Sequence, residues 1–435
     1  MQLFRANIAH FPKATADVNR DIQVICDGGL LIDGKHIVAV GDFISLNEQY
    51  PNAVVIDHSG KWLVPGFIDS HLHYPQTQSI ANYGEQLLSW LENYTFPTEM
   101  QFSDNAHAEK IAQIFLNQLL KNGTTTGFVF STVHASSCNA LFEAATNIDM
   151  AIIAGKVCMD RHCPAALQDT AEIAQRESAQ LIEQWHNKGR NRYALTPRFA
   201  PTSTEAQLAA IGELATQYKD VFIQTHLSEN KDEIEWVNTL FPHCSGYLDV
   251  YDQYNLVRER AVFGHGIHLA PSEWARLGEA GACIAFCPTS NLFLGSGLFD
   301  IQAAKAHGVH VALATDVGAG TSFSMLKTYA DAYKVSQLRN APICPLEGFY
   351  LMTQGGAVAH KLDHEIGNLN AGTIADFVII QPHYDELTTL RIADTEDFTD
   401  VFFALSILGD DRAIEETWIS GQCCYNKKEN QHAMA

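Results

Sequence analysis

The sequence predicts an α/β protein: a (β/α)8 barrel of the TIM type with a small β-sandwich domain built from the N- and C-terminal segments. Three observations lead there. Between residue 63 and about residue 355, short apolar runs alternate with amphipathic helical stretches eight times, the pattern of a closed parallel barrel. Strand-like alternation with glycine punctuation occurs at both ends of the chain and not between them. A doubly wound open sheet is the alternative, but no GxGxxG follows the first strand.

Taken in order, residues 1–62 are the first part of the β-sandwich. Gly28-Gly-Leu-Leu-Ile-Asp-Gly-Lys-His-Ile-Val-Ala-Val-Gly41 alternates about a glycine turn and reads as a hairpin. The barrel domain is expected over residues 63–365, with strands at Leu63 to Ile68, Thr124 to Phe130, Ala151 to Cys158, Tyr193 to Pro197, Val221 to Thr225, Ala261 to Phe263, Ala282 to Phe286 and His310 to Ala314. Helices fall between them at Ala106 to Lys121, where Ile111, Ile114, Phe115 and Leu119 share a face, and at Thr170 to Trp185, Ala206 to Tyr218 and Ser324 to Leu338. Residues 366–435 return to strand-like runs, Gly372 to Gln381 and Glu416 to Gly421, and complete the sandwich.

At 435 residues the chain exceeds one compact unit, and its 46% apolar content is ample for a core. Twenty-eight basic residues against fifty acidic give a charge of -22, which repels polyanions and excludes nucleic acid as a partner. Met1 to Asp21 shows no basic segment followed by an apolar one. The longest strongly apolar run, Val401 to Leu408, is less than half a membrane crossing. The ten cysteines form no CxxC pair, which suits buried thiols in a reducing compartment, and the vicinal Cys423-Cys424 reads as two strand residues. A soluble cytoplasmic protein without a membrane partner is expected.

The chemistry sits at the ends of the strands. The first run breaks into Asp69, His71 and His73, and histidines two apart on a strand face the same side, as a zinc-type metal requires. The fifth strand finishes on His226, the sixth on His265 and the eighth on Asp316. Catalytic groups of such barrels occupy this rim. A lone histidine after a strand is ordinarily a core or loop residue, but candidates at four strand ends are poorly explained that way. The expected ligands are His71, His73, His226 and Asp316, with His265 adjacent as polariser or proton donor. Zinc there would bring its water to a pKa of about 7 and so supply a nucleophile, although a His-rich site with a carboxylate also suits Fe²⁺ or Mn²⁺. Glu229, three residues past His226, can reach the same metal as general acid and base; Glu233, in the same acidic turn, is expected on a solvated face. His107-Ala-Glu109 imitates another zinc-site motif but lacks its P-C-x-x-C partner and lies in a helix, so both residues are read as solvated.

Val64-Pro-Gly-Phe-Ile-Asp-Ser-His-Leu-His73, Thr225-His-Leu-Ser-Glu229, Gly264-His265 and Thr315-Asp316 resemble the amidohydrolase superfamily over nearly the whole chain. His73-Tyr-Pro-Gln76, Gly84 to Glu99, Pro197-Arg-Phe-Ala-Pro-Thr202 and Cys287-Pro-Thr-Ser-Asn291 resemble its guanine-deaminase family. The resemblance implies hydrolysis of guanine to xanthine and ammonia, one zinc per subunit without a carboxylated lysine, and a homodimer. It makes Gln76, Arg198 and Phe199 the base-reading residues, with His73, His226, His265 and Asp316 lining the same pocket, and Glu229 the proton relay. The chemistry agrees: guanine offers a carbonyl oxygen and a ring N–H, an arginine only donates, and a glutamine amide does both. Tyr83 to Phe96, rich in Trp90, Tyr94 and leucine, would either cover the pocket or pack on the rim. Another deaminase or hydrolase of the superfamily, acting on a thioadenosine, an oxidised guanine or a triazine, and a catalytically dead barrel are the competing readings.

Overall fold

The computed structural model describes residues 1–83 and 86–429. Gly84 and Glu85, which open the 84–99 string and fall within the 83–96 segment, and residues 430–435 at the end of the expected C-terminal part, lie outside the described residues.

The N-terminal strands are β1 (Gln2–His10), β2 (Gln23–Asp33), β3 (His36–Asp42) and β4 (Val54–Pro65). The β2–β3 hairpin turns on Gly34, whose φ of 58° lies in the left-handed region that glycine enters without cost. The barrel strands follow as β5 (Phe67–His73), β6 (Thr124–Phe130), β7 (Ala151–Gly155), β8 (Val157–Cys158), β9 (Arg192–Pro197), β10 (Phe222–Leu227), β11 (Ala261–His265), β12 (Cys283–Phe286) and β13 (His310–Leu313), and the chain finishes with β14 (Phe377–Ile380), β15 (Ile414–Ile419) and β16 (Gln422–Asn426). The small β domain is one seven-stranded sheet in the order β16-β15-β14-β4-β1-β2-β3, so the two ends of the chain meet where β14 pairs antiparallel with β4. Phe377 stacks on Trp418 with centroids 5.4 Å apart, and Phe4 meets both edge-on. Packing of residues remote in sequence, more than strand propensity, therefore joins the ends.

The barrel runs β5-β6-β7-β9-β10-β11-β12-β13, every pair parallel, with β8 continuing β7 beside β9. It closes through two backbone hydrogen bonds: His73 N donates to Val317 O (2.7 Å) and Asp316 N donates to His71 O (2.9 Å). Ile68, Phe128, Ile153, Phe222, Val262 and Cys283 fill the interior, so the barrel has a packed core.

Four details differ from the sequence reading. The first run is divided: Leu63 to Pro65 complete β4, and the barrel begins at Phe67. At the junction, Gly66 lies so close to β6 that a Cβ would stand 2.1 Å from Thr125 Oγ1. The third run breaks at Lys156, whose ammonium is buried against Asp169 Oδ2 at 2.7 Å. In the helix Asn105–Lys121, Ile114 is exposed, because the buried face turns through Ala108, Ala112, Phe115 and Leu119 instead. His107, on the same helix, is half-buried with its ring edge-on to Phe102, while Glu109 is exposed as expected. The apolar run from Val401 lies in the helix Phe398–Leu408, and no helix among the described residues is long and apolar enough to cross a membrane.

Candidate active site

Strand alternation puts His71 and His73 on one side at the C-terminal end of β5, and the two closing hydrogen bonds bring Asp316 beside them. Asp316 Oδ1 lies 3.4 Å from His71 Nε2 and 3.3 Å from His73 Nε2. From β10, His226 brings Nε2 to 3.3 Å from His73 Nε2. Its Nδ1 is 2.7 Å from the carbonyl oxygen of Arg198; a carbonyl only accepts, so Nδ1 carries the proton and Nε2 presents a lone pair. That lone pair is turned towards His73, whose Nδ1 is buried without a hydrogen-bond partner. His71 Nε2 is also buried without a hydrogen-bond partner. Burial holds His71, His73 and His226 below the ordinary histidine range, His73 at about 3, so these imidazoles are neutral donors. Burial opposes ionisation of Asp316, but the neighbouring histidines outweigh it and hold the carboxyl well below its usual range. Three neutral imidazoles, an orphaned nitrogen and an ionised carboxylate fit a divalent cation.

The strand ends carry strain there. His265 (φ 71°) and Asp316 (φ 51°) both sit in the left-handed region, and such outliers cluster where geometry serves function. Asp69 braces the closure from behind: it accepts from Thr315 N at 3.0 Å and Thr315 Oγ1 at 2.5 Å, and burial pushes it up to about 7. His265 holds its ring by Nδ1 on Asn291 Oδ1 at 2.8 Å and turns Nε2 towards Glu229 Oε2 at 3.4 Å. Burial, then the charge of Asp316, pushes the Glu229 carboxyl well above its ordinary range, and Ser296 Oγ donates to it at 3.4 Å. Cys287 shares the cluster with His71, His265 and Asp316, yet its S–H is turned onto Ala285 O and burial holds the thiol neutral.

Glu233 corrects the sequence reading. It is fully buried, and it accepts from the backbone N–H of Glu229 (2.9 Å) and Asn230 (3.1 Å) and from Tyr247 O–H (2.7 Å). The residue taken as solvated thus fixes the turn that carries Glu229. Helical spacing alone could not reveal this, because the burial comes from Tyr247, fourteen residues on.

Gln76, Arg198 and Phe199 share one pocket with His73, His226, Glu229, His265 and Asp316. His71 lies beneath, in contact with Asp316. The segment after β5 contributes Leu87, Trp90, Leu91 and Thr95 to the lining of the same pocket, so these residues face the site. Sequence reasoning also assigned no role to Glu99, which is fully buried and accepts from Arg198 Nη1 at 2.9 and 2.8 Å and from Gln76 Nε2 at 3.3 Å. Its position at the end of the 84–99 string was the only signal.

Residues 62–424 match the amidohydrolase family. Guanine deaminase from Escherichia coli (strain K12) is 48% identical over 93% of both chains. The chain belongs to the guanine-deaminase branch of the amidohydrolase family. Among solved structures, E. coli guanine deaminase superposes with a TM-score of 0.97 at 46% identity, covering 98% of this chain and 100% of that one. The guanine deaminase of C. acetobutylicum, whose structure has guanine bound in the active site, superposes at 0.89 with 28% identity, over 98% and 100% of the two chains. This guanine-deaminase family member is therefore a hydrolase of a metal-dependent family, and its buried histidine and aspartate groups are in position to hold the metal.

Proposed function

We propose that the chain hydrolyses guanine to xanthine and ammonia with one zinc per subunit. The observation that carries the reading is a single pocket lined by two kinds of group: imidazoles and a carboxylate of the His71, His73, His226 and Asp316 cluster, and a donor-acceptor pair, Arg198 and Gln76, fitted to a keto-purine. His71, His73, His226 and Asp316 would hold the metal. When bound, a zinc-type cation lowers the pKa of water to about 7 and so makes a nucleophile available at neutral pH.

The remaining work falls to the side chains. Gln76 and Arg198 orient the base by its ring N–H and carbonyl oxygen, and Phe199, buried beside them, offers an aromatic face. Glu229 takes a proton from the attacking water and delivers it to the ring nitrogen next to the amino-bearing carbon. A second transfer, from the new hydroxyl to the amino nitrogen, breaks the C–N bond and releases ammonia, leaving a carbonyl. A buried carboxyl with raised proton affinity suits a relay that must hold the proton between transfers. His265, 3.4 Å from Glu229 and 3.9 Å from Asp316, steadies the nucleophile. Leu87, Trp90 and Leu91 exclude bulk water from the pocket.

The family resemblance supports a homodimer, and ten free cysteines suit the cytoplasm. The test is direct: purified metal-loaded protein is mixed with guanine and xanthine is followed by ultraviolet absorbance, with adenine and ammeline as controls. Turnover of guanine alone is expected. Turnover of ammeline or adenine without guanine would overturn the assignment.

A further inference from the structure

Beneath the base-reading pair lies a carboxylate with no assigned task. Glu99 ends the short helix Phe96–Glu99, in the same excursion that contributes Leu87, Trp90, Leu91 and Thr95 to the pocket wall, and it is wholly withdrawn from solvent. Both of its oxygens take hydrogen bonds from Arg198 Nη1, and Oε1 takes a third from Gln76 Nε2. The Phe96 ring flanks the guanidinium, 5.6 Å from Cζ.

An ionised carboxylate accepts and cannot donate. Gln76 must therefore turn its NH₂ to Glu99, which leaves its amide oxygen as the group it can offer the pocket it lines. Arg198 spends only Nη1 on Glu99, so its other N–H groups remain as donors. The site then presents an acceptor beside donors, the complement of a ring N–H next to a carbonyl oxygen. If the amide of Gln76 turned over, it would present a donor instead, and that pattern fits an unprotonated ring nitrogen.

Resting on the guanine reading, we infer that Glu99 is the positioning residue that sets the hydrogen-bond polarity of Gln76 and Arg198 and so makes the pocket select a lactam edge over an amidine edge. The discriminating probe is 2-aminopurine, which keeps the amino-bearing carbon and lacks both the carbonyl oxygen and the adjacent N–H.

The holoenzyme and its Glu99→Gln variant are compared for kcat/KM on guanine, the inhibition constant of 2-aminopurine and zinc content, and the same measurements are made on Gln76→Ala and the double variant. Since a displacement of about 1 Å in a positioning group costs about 10²-fold, kcat/KM for guanine should fall by about that factor. Zinc content should stay at the wild-type level, and the 2-aminopurine constant should stay unchanged or tighten. Gln76→Ala should cost at least about tenfold less in the Glu99→Gln background than in the wild type, because coupled groups are not additive. If Glu99→Gln fails to fold, Glu99→Asp decides: it keeps the charge but draws the carboxylate back by one methylene, and guanine should weaken while 2-aminopurine does not. Equal weakening of both ligands, or losses that simply multiply in the double variant, would overturn the role of Glu99. A wild-type enzyme that fails to turn over guanine would instead remove the guanine reading itself.

Discussion

Replacing Glu233 by alanine is the sharpest test of how the proton relay is held. The substitution removes the acceptor of three buried hydrogen bonds, from Glu229 N, Asn230 N and Tyr247 O–H. Each buried donor left unpaired costs about 1–3 kcal/mol, so the loss is on the order of 5 kcal/mol. For a domain this large, at about 2 °C per kcal/mol, the melting temperature should fall by roughly 10 °C. Activity should fall too. The backbone of Glu229 would lose its clamp, and a shift of about 1 Å in a reacting group costs about 10²-fold in rate. Glu233→Gln keeps one oxygen, which can serve the two backbone amides or Tyr247 but not all three, so an intermediate loss of about 1–3 kcal/mol is expected. The assays are differential scanning calorimetry at fixed metal load and guanine turnover. A Glu233→Ala protein that melts within about 2 °C of the wild type and turns over normally would refute the argument.

Glu229→Gln should retain the metal and lose about 10²- to 10⁴-fold or more in kcat, the range spanned by general acid–base groups; near-normal turnover with full metal content would remove Glu229 as the relay. Dialysis against a chelator should abolish activity and lower the melting temperature, and zinc should restore both, since a cation that binds only the folded state stabilises it; a melting curve indifferent to zinc would count against the His71, His73, His226 and Asp316 site. The fold should lose stability in mild acid through His10, which accepts from Leu369 N at Nδ1 and is bonded to Gln23 Oε1 through Nε2, and which burial lowers to about 4. Because the unfolded chain takes up this proton near pH 6.5 and the fold does not, the contribution is complete above about 6.5 and is lost as pH falls towards about 4, on the order of 3 kcal/mol in all. Denaturant midpoints of His10→Gln that fall as steeply over that window as those of the wild type would show that His10 is not responsible.

Much of the site was legible because its chemistry is written where periodicity is strong. His71 and His73 follow from a two-residue strand repeat, and His226, His265 and Asp316 follow from apolar runs that stop at polar residues, since a parallel barrel gathers its strand ends on one rim. The helix ends at Thr170 and Ser324 were equally readable, because both are side-chain caps whose preference is local. Local pattern also had its limits: the same periodicity that placed Phe115 and Leu119 inside put Ile114 there as well, and Ile114 is exposed.

What the sequence by itself determined is the alternation of strands and helices and the candidate polar groups at the strand ends, for these depend on near-neighbour spacing, whereas the pairing of the two ends rests on packing between remote residues. Tertiary structure alone decided which carboxylates are buried. Glu229, Glu233 and Glu99 are alike in composition, and their differences come from partners remote along the chain: Ser296 for the first, Tyr247 for the second and Arg198 for the third. Burial is a property of the space the whole chain encloses, and a charge withdrawn from water takes its meaning from whichever donors that enclosure brings to it.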